Sequence, residues 1–269
     1  MNTQHSEKLA QVIRRSSLQM VERANASHIG SALSIADVVA VLYGQVLNTY
    51  PSDPLNPQRD RFILSKGHAC VAVYSALAAK GFFSEKELLT YGQDFSNLMN
   101  HISHKVDGVE FSTGSLGHGL PFGVGKALAA NRLGKNWRTF VLLSDGELGE
   151  GSNWEAAMFA GHHALNNLVA IIDYNNLQSL TTVEETLSIE PLADKWRAFG
   201  WNVIHVDGHD HSQLASAFMK DDSIKNPTVV IAHTVKGKGV SFMENAVAWH
   251  YKSPSKDELQ IALEEIDNA

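Results

Sequence analysis

Five short apolar runs recur along the chain, at residues 61–64, 139–143, 168–173, 202–206 and 228–232, and the intervals between them carry mostly helical patterns. Such short, nearly continuous apolar runs predict strands covered on both faces. Residues 1–24 place Leu9, Val12, Ile13, Met20 and Val21 at helical spacing, and residues 152–165 and 123–131 predict further helices. Ser84 with Glu87, Ser152 with Glu155, and Ser255 with Glu258 have capping-box spacing, and Gly200 closes the helical pattern 192–199. Strands alternating with helices predict an α/β fold, a doubly wound parallel sheet with helices on both faces. The proline-rich stretch 51–57 is too short for an interdomain linker, so residues 1–269 are expected to form one domain.

Composition narrows the setting. A chain of 269 residues, 44% hydrophobic, can bury a large core. Its single cysteine, Cys70, excludes an intrachain disulfide and a thiolate-based zinc site. With no signal-peptide pattern and no membrane-spanning run, a reducing cytoplasm is the expected location. Twenty-two Lys and Arg against 29 Asp and Glu give a net charge of -7, which argues against nucleic acid as a general partner.

Parallel sheets place ligands beyond the carboxyl ends of their strands. Here those positions are polar and glycine-rich: Ser65, Lys66, Gly67 and His68 follow the first run, and Ser144, Asp145, Gly146 and Glu147 follow the second. Asn175 and Asn176 follow the third, Asp207, Gly208 and His209 the fourth, and a stretch with two lysines and two glycines, 234–240, the fifth. Asp145 and Asn175 lie thirty positions apart, at the same edge of one βαβ unit. A carboxylate and an amide oxygen suit Mg²⁺ bridging a diphosphate, since one carboxylate leaves the ion positive toward the phosphates. Gly146 permits close backbone approach, and a helix starting near Ser152 would add N–H groups. On these residues alone, turn punctuation is an equally good account of the pair.

Residues 112–119 form a glycine-rich loop able to touch a flat ring or a phosphate, but they lack the preceding strand and glycine spacing of a dinucleotide site. His28, His68, His101, His104, His118 and His250 all fall in loops, where several histidines at one sheet edge suit proton transfer. No His-His or Glu-His spacing resembles a zinc site.

Together these motifs resemble the transketolases. The Asp145-Gly146 turn with Asn175 is similar to the thiamin-diphosphate motif. Residues 26–30, 64–68, 112–119, 207–210 and 234–239 resemble ordered transketolase segments, and the resemblance ends at Trp249, His250 and Tyr251. It implies a thiamin-diphosphate-binding fold in which Asp145, Asn175 and the Leu177 carbonyl hold Mg²⁺, or Ca²⁺ or Mn²⁺. Gly146, His68 and His250 would contact the diphosphate, and Gly114, Ser115 and Leu116 the aminopyrimidine. His28, His250 and one of His101 and His104, with His101 placed ahead, would face the substrate and move protons. Glu150 matches a glutamate near the pyrimidine-binding partner that couples paired sites.

The departures are Ser144 for Gly, Ile29 for Pro, Lys66 for Asn, His118 for Gln, and Tyr251, whose bulk beside His250 is expected to reshape the entrance. The family's activating glutamate lies on a pyrimidine-binding domain beyond the matching segments. The resemblance therefore implies the first half of a split transketolase, forming an α₂β₂ assembly with a separate C-terminal subunit and working on sugars or sugar phosphates. Its reaction would be two-carbon ketol transfer from ketose to aldose. Two alternatives remain: the α subunit of a decarboxylating 2-oxo acid dehydrogenase, and a catalytically silent cofactor-binding scaffold.

Overall fold

The computed structural model describes residues 3–268. Strands β1 (Arg61–Leu64), β2 (Thr139–Ser144), β3 (Leu168–Tyr174), β4 (Asn202–Asp207) and β5 (Thr228–His233) form a wholly parallel sheet in the order β1-β2-β3-β5-β4. Every expected strand is present, and each ends within one residue of its predicted end. Ten helices surround the sheet among the described residues: α1 (Gln4–Ala24), α2 (Ile29–Ser34), α3 (Ala36–Val41), α4 (Cys70–Ala79), α5 (Gly119–Arg132), α6 (Gly151–His162), α7 (Val183–Leu187), α8 (Leu192–Ala198), α9 (His211–Phe218) and α10 (Lys256–Asp267).

The period-two alternation of the strands explains the layering. Phe62, Phe140, Leu142, Ile171 and Val230 face one layer, with Ile13 of α1, Val38 of α3, Val71 of α4, Leu214 of α9 and Ala262 of α10. Ile63, Val141, Ile172 and Ile231 face the other, with Leu120 of α5, Ala157 of α6 and Trp196 of α8. This is the doubly wound arrangement expected from the sequence.

The layering also locates the site. Beyond β3 the chain runs to the second layer, where Val183 and Leu192 pack, whereas beyond β5 it runs to the first, where Val240 and Met243 pack. Adjacent strands whose connections part to opposite faces leave a crevice at their carboxyl ends. The loops after β3 and β5 border that crevice.

Local signals held unevenly. The capping boxes at Ser84 and Ser255 form, and Gly200 ends its segment with φ +83°. The box expected at Ser152 does not: α6 starts at Gly151, and the Ser152 hydroxyl donates to the Gly117 carbonyl at 2.6 Å. A 3₁₀ turn, Gly146–Gly149, separates Asp145 from α6, so the helix's first N–H groups stand away from the cleft described below rather than facing it. The amphipathic helix expected over 1–24 is α1, with Met1 and Asn2 outside the described residues, as is Ala269. Cys70 is a buried free thiol, and none of the described helices is long and apolar enough to cross a membrane.

Candidate active site

A cleft of about 270 Å³ opens at the carboxyl edge of the sheet, lined by His28, Lys66, His68, His101, Gly114, Leu116, Asp145, Gly146, Asn175, Leu177, Lys236 and His250 among others. The β2–β3 register sets Ser144 beside Asp173, which brings the Asp145 and Asn175 turns together. Asp145 Oδ1 accepts from the Gly146 N–H at 2.7 Å, and Oδ2 from the N–H groups of Asn175 and Asn176 at 3.0 and 2.6 Å. Asn176 takes φ +62°, the left-handed conformation that asparagine tolerates, and so turns its N–H toward the carboxylate. Burial, then the neighbouring Asp173 carboxylate, push Asp145 up to about 6.

Asp173 anchors this arrangement from beneath. It is fully buried, and it accepts from Lys66 Nζ, Ser34 Oγ and Thr234 Oγ1 at 2.5, 2.6 and 2.5 Å and from Asn175 Nδ2 at 3.0 Å. Burial alone would raise its pKa, but the Lys66 charge and these donors hold the carboxyl below the usual range. Because Asn175 Nδ2 is committed to Asp173 and Ser34, its Oδ1 is the oxygen left to face the turn, where the Leu177 N–H meets it at 3.1 Å.

Lys236, from the loop after β5, reaches across the crevice. Its ammonium donates to the Leu177 and Gln178 carbonyls at 3.1 and 3.0 Å and to His250 Nδ1 at 3.2 Å. Burial, then the charge of Lys66, push it down to about 8. An ammonium has no lone pair, so His250 Nδ1 is the acceptor and the ring proton sits on Nε2.

The histidines gather into one group. The His28 ring centroid lies 5.0 Å from those of His68 and His250 and 5.8 Å from that of His101. Burial, then the charges of His101, Lys236 and Lys66, push His28 down to about 4; burial, then Lys236, His28 and Lys66, push His250 down to about 3. His68 falls well below its ordinary value through burial and then Lys66, and His101 is lowered by burial. All four are therefore neutral imidazoles near pH 7, each with one ring N–H to donate and one ring nitrogen to accept a hydrogen bond. His28 holds φ +76°, and its N–H donates to the His250 carbonyl at 2.7 Å.

Most of the expected residues thus share one cleft. His101 lines it, whereas His104 lies outside with Nδ1 2.6 Å from Ser112 Oγ. Ser115 is exposed and does not line the cleft, and Glu150 is exposed on the far side of the Gly146–Gly149 turn. Gly114 and Leu116 line the cleft. Gly67 has a steric reason: a Cβ there would lie 2.4 Å from the Thr113 carbonyl oxygen. Tyr251 also lines the cleft, its ring 4.8 Å from that of His250.

Lys236 and Ser31 carry no role legible in the sequence, and Lys66 stands out there only as a departure from the family pattern.

Oxygen donors on one side and two buried lysines on the other define a class of protein, an α/β binder of an anionic cofactor at a sheet switch point. Residues 5–266 match the family described as transketolase, thiamine diphosphate binding domain, and the chain belongs to that family. It is 43% identical over 254 residues to one subunit of the apulose-4-phosphate transketolase of Phocaeicola vulgatus, covering 94% of this chain and 90% of that one. It is 38% identical over 260 residues to a 6-deoxy-6-sulfo-D-fructose transketolase subunit of Clostridium sp., covering 96% and 94%. Human transketolase is 38% identical over 255 residues, 94% of this chain but 41% of that protein. The crystal structure of Campylobacter jejuni transketolase superimposes with a TM-score of 0.94 at 30% identity, over 99% of this chain and 43% of that one. The chain thus spans about two fifths of these longer transketolases, and nearly the full length of the relatives named as transketolase subunits.

Proposed function

We propose that this chain is the diphosphate-binding subunit of a thiamin-diphosphate-dependent transketolase, which joins a separate pyrimidine-binding subunit to move a two-carbon ketol unit from a ketose to an aldose. The observation that carries this reading is the meeting, in one cleft, of the Asp145–Asn175–Leu177 oxygens with four neutral histidines. A decarboxylase α subunit or an inert scaffold gives no account of that histidine group.

The donor set fits a hard divalent cation. Asp145 supplies a buried carboxylate, Asn175 an amide oxygen and Leu177 a carbonyl that already holds the Lys236 ammonium. These oxygens would hold Mg²⁺, or Ca²⁺ or Mn²⁺. Gly146, His68, His250 and Lys236 would hold the diphosphate, and Gly114, Leu116 and the neighbouring Ser115 would lie toward the aminopyrimidine. When bound, thiamin diphosphate supplies the carbanion equivalent on which ketol transfer depends. His28, His101 and His250 would move the substrate's protons, and His250 already holds its proton on Nε2, opposite Lys236.

Three of the relatives are named as single subunits of transketolases, which supports a partner subunit for this chain; in this reading that partner would carry the activating glutamate. An α₂β₂ assembly in the cytoplasm, with Glu150 near the partner and ketoses or their phosphates as substrates, completes the reading. Calorimetric titration of thiamin diphosphate with Mg²⁺ tests the site: Asp145→Asn abolishes Mg²⁺-dependent retention. Undiminished binding by that variant would mean the metal lies elsewhere.

A further inference from the structure

Glu147 has no part in the chemistry above, and it does not line the cleft. Its side chain is 0% exposed, yet it touches three of the loops that build the cleft. Oε1 accepts from Ser65 Oγ and from the Gly117 N–H at 2.9 Å, and Oε2 accepts from the Ser144 N–H at 3.3 Å. Ser65 Oγ in turn accepts from the Gly119 N–H at 3.2 Å. The Glu147 carbonyl is held by Asn153 Nδ2 at 2.8 Å, which ties the residue to α6.

Each donor sits next to a different part of the site. Ser65 leads into Lys66 and His68, Gly117 and Gly119 close the loop that presents Gly114 and Leu116, and Ser144 leads into Asp145 and Gly146. There is no slack between these loops. A Cβ on Gly119 would lie 2.3 Å from Ser65 Oγ, and one on Gly117 would lie 2.6 Å from Ser152 Oγ. We infer that Glu147 is a positioning residue that clamps the three loops at one spacing, and so sets the fit of the cleft to its cofactor without touching it.

The chemistry calls for a carboxylate. It offers only acceptors, and every group that points at it is a donor. A glutamine would set its NH₂ against a backbone N–H, leaving two donors opposed in a buried place. The loops would then part, although their own sequences are unchanged.

This inference rests on reading the cleft as a thiamin-diphosphate site, and the test separates the two. The full chain with its partner subunit is titrated with thiamin diphosphate in excess Mg²⁺, as wild type, Glu147→Gln, Ser65→Ala and the double variant. Failure of the wild type to bind overturns the cofactor reading, and this inference with it. Given wild-type binding, Glu147→Gln is expected to weaken it about tenfold or more. Ser65→Ala is expected to weaken it less, and the double variant no further than Glu147→Gln alone, because one clamp is being removed. Amide exchange rises at Gly117, Gly119 and Ser144 but not in β3 or β5. Binding of Glu147→Gln within about twofold of wild type, additive losses, or exchange that rises across the whole sheet would overturn it. Should Glu147→Gln fail to fold, Ser65→Ala decides: faster exchange at Gly119 with weaker binding supports the clamp, and unchanged values reject it.

Discussion

Lys66 and Asp173 form an ion pair at 2.5 Å, with side chains 1% and 0% exposed, beneath the turns that carry Asp145 and Asn175. Both charges are out of reach of water, so neither tolerates loss of the other. Lys66→Met leaves the Asp173 carboxylate with neutral donors only. Removing one partner of a buried pair costs about 3–5 kcal/mol, and urea unfolding should show a loss of that size with the slope unchanged. A loss under about 1 kcal/mol would mean that Ser34, Thr234 and Asn175 satisfy Asp173 unaided.

Asp145 makes metal binding depend on pH. Its folded value, about 6, lies above the ordinary 3.8, so its contribution to stability is full below 3.8 and is lost as pH rises through 6. A divalent cation offsets that loss only where the carboxyl is ionised. Saturating Mg²⁺ should therefore raise the melting temperature little at about pH 5 and by about 2–4 °C near pH 7.5 for each kcal/mol of binding. Asp145→Asn should flatten the difference. An equal shift at both pH values in the wild type would place the metal away from this carboxylate.

The two histidines that the sequence could not tell apart should behave differently. His101 faces the cleft, while His104 is held on Ser112. In the assembled enzyme His101→Ala should lower kcat/KM by about 10²-fold or more, and His104→Ala should leave it within about twofold. The reverse ranking would show that the loop between them moves when substrate binds.

How much of this was legible beforehand follows from the kind of signal each residue sends. The five strands were readable because a sheet buried on both faces needs unbroken apolar runs, and these end where the polar loops begin. Alone, the Asp145–Asn175 pair supports two equal accounts; in the company of the other edge-loop motifs of the sequence it becomes legible as a cofactor site. Helices α2 and α3 have every residue buried, so they show no amphipathic period to read. Ser152 kept the spacing of a cap, but Gly117 offered its hydroxyl a closer acceptor. Lys66, Lys236 and Glu147 were missed for a shared reason. Their partners lie 107, 59 and 82 positions away, and nothing local records a pairing over such distances.

In the proposed function this chain holds the cofactor's diphosphate while a second chain completes the site. This division between chains is tested most directly by assaying ketol transfer, with thiamin diphosphate and Mg²⁺ present, for this chain by itself, the pyrimidine-binding chain by itself, and the two mixed. Turnover only in the mixture is the predicted result. Full turnover by this chain by itself, or none in the mixture despite bound cofactor, would contradict it.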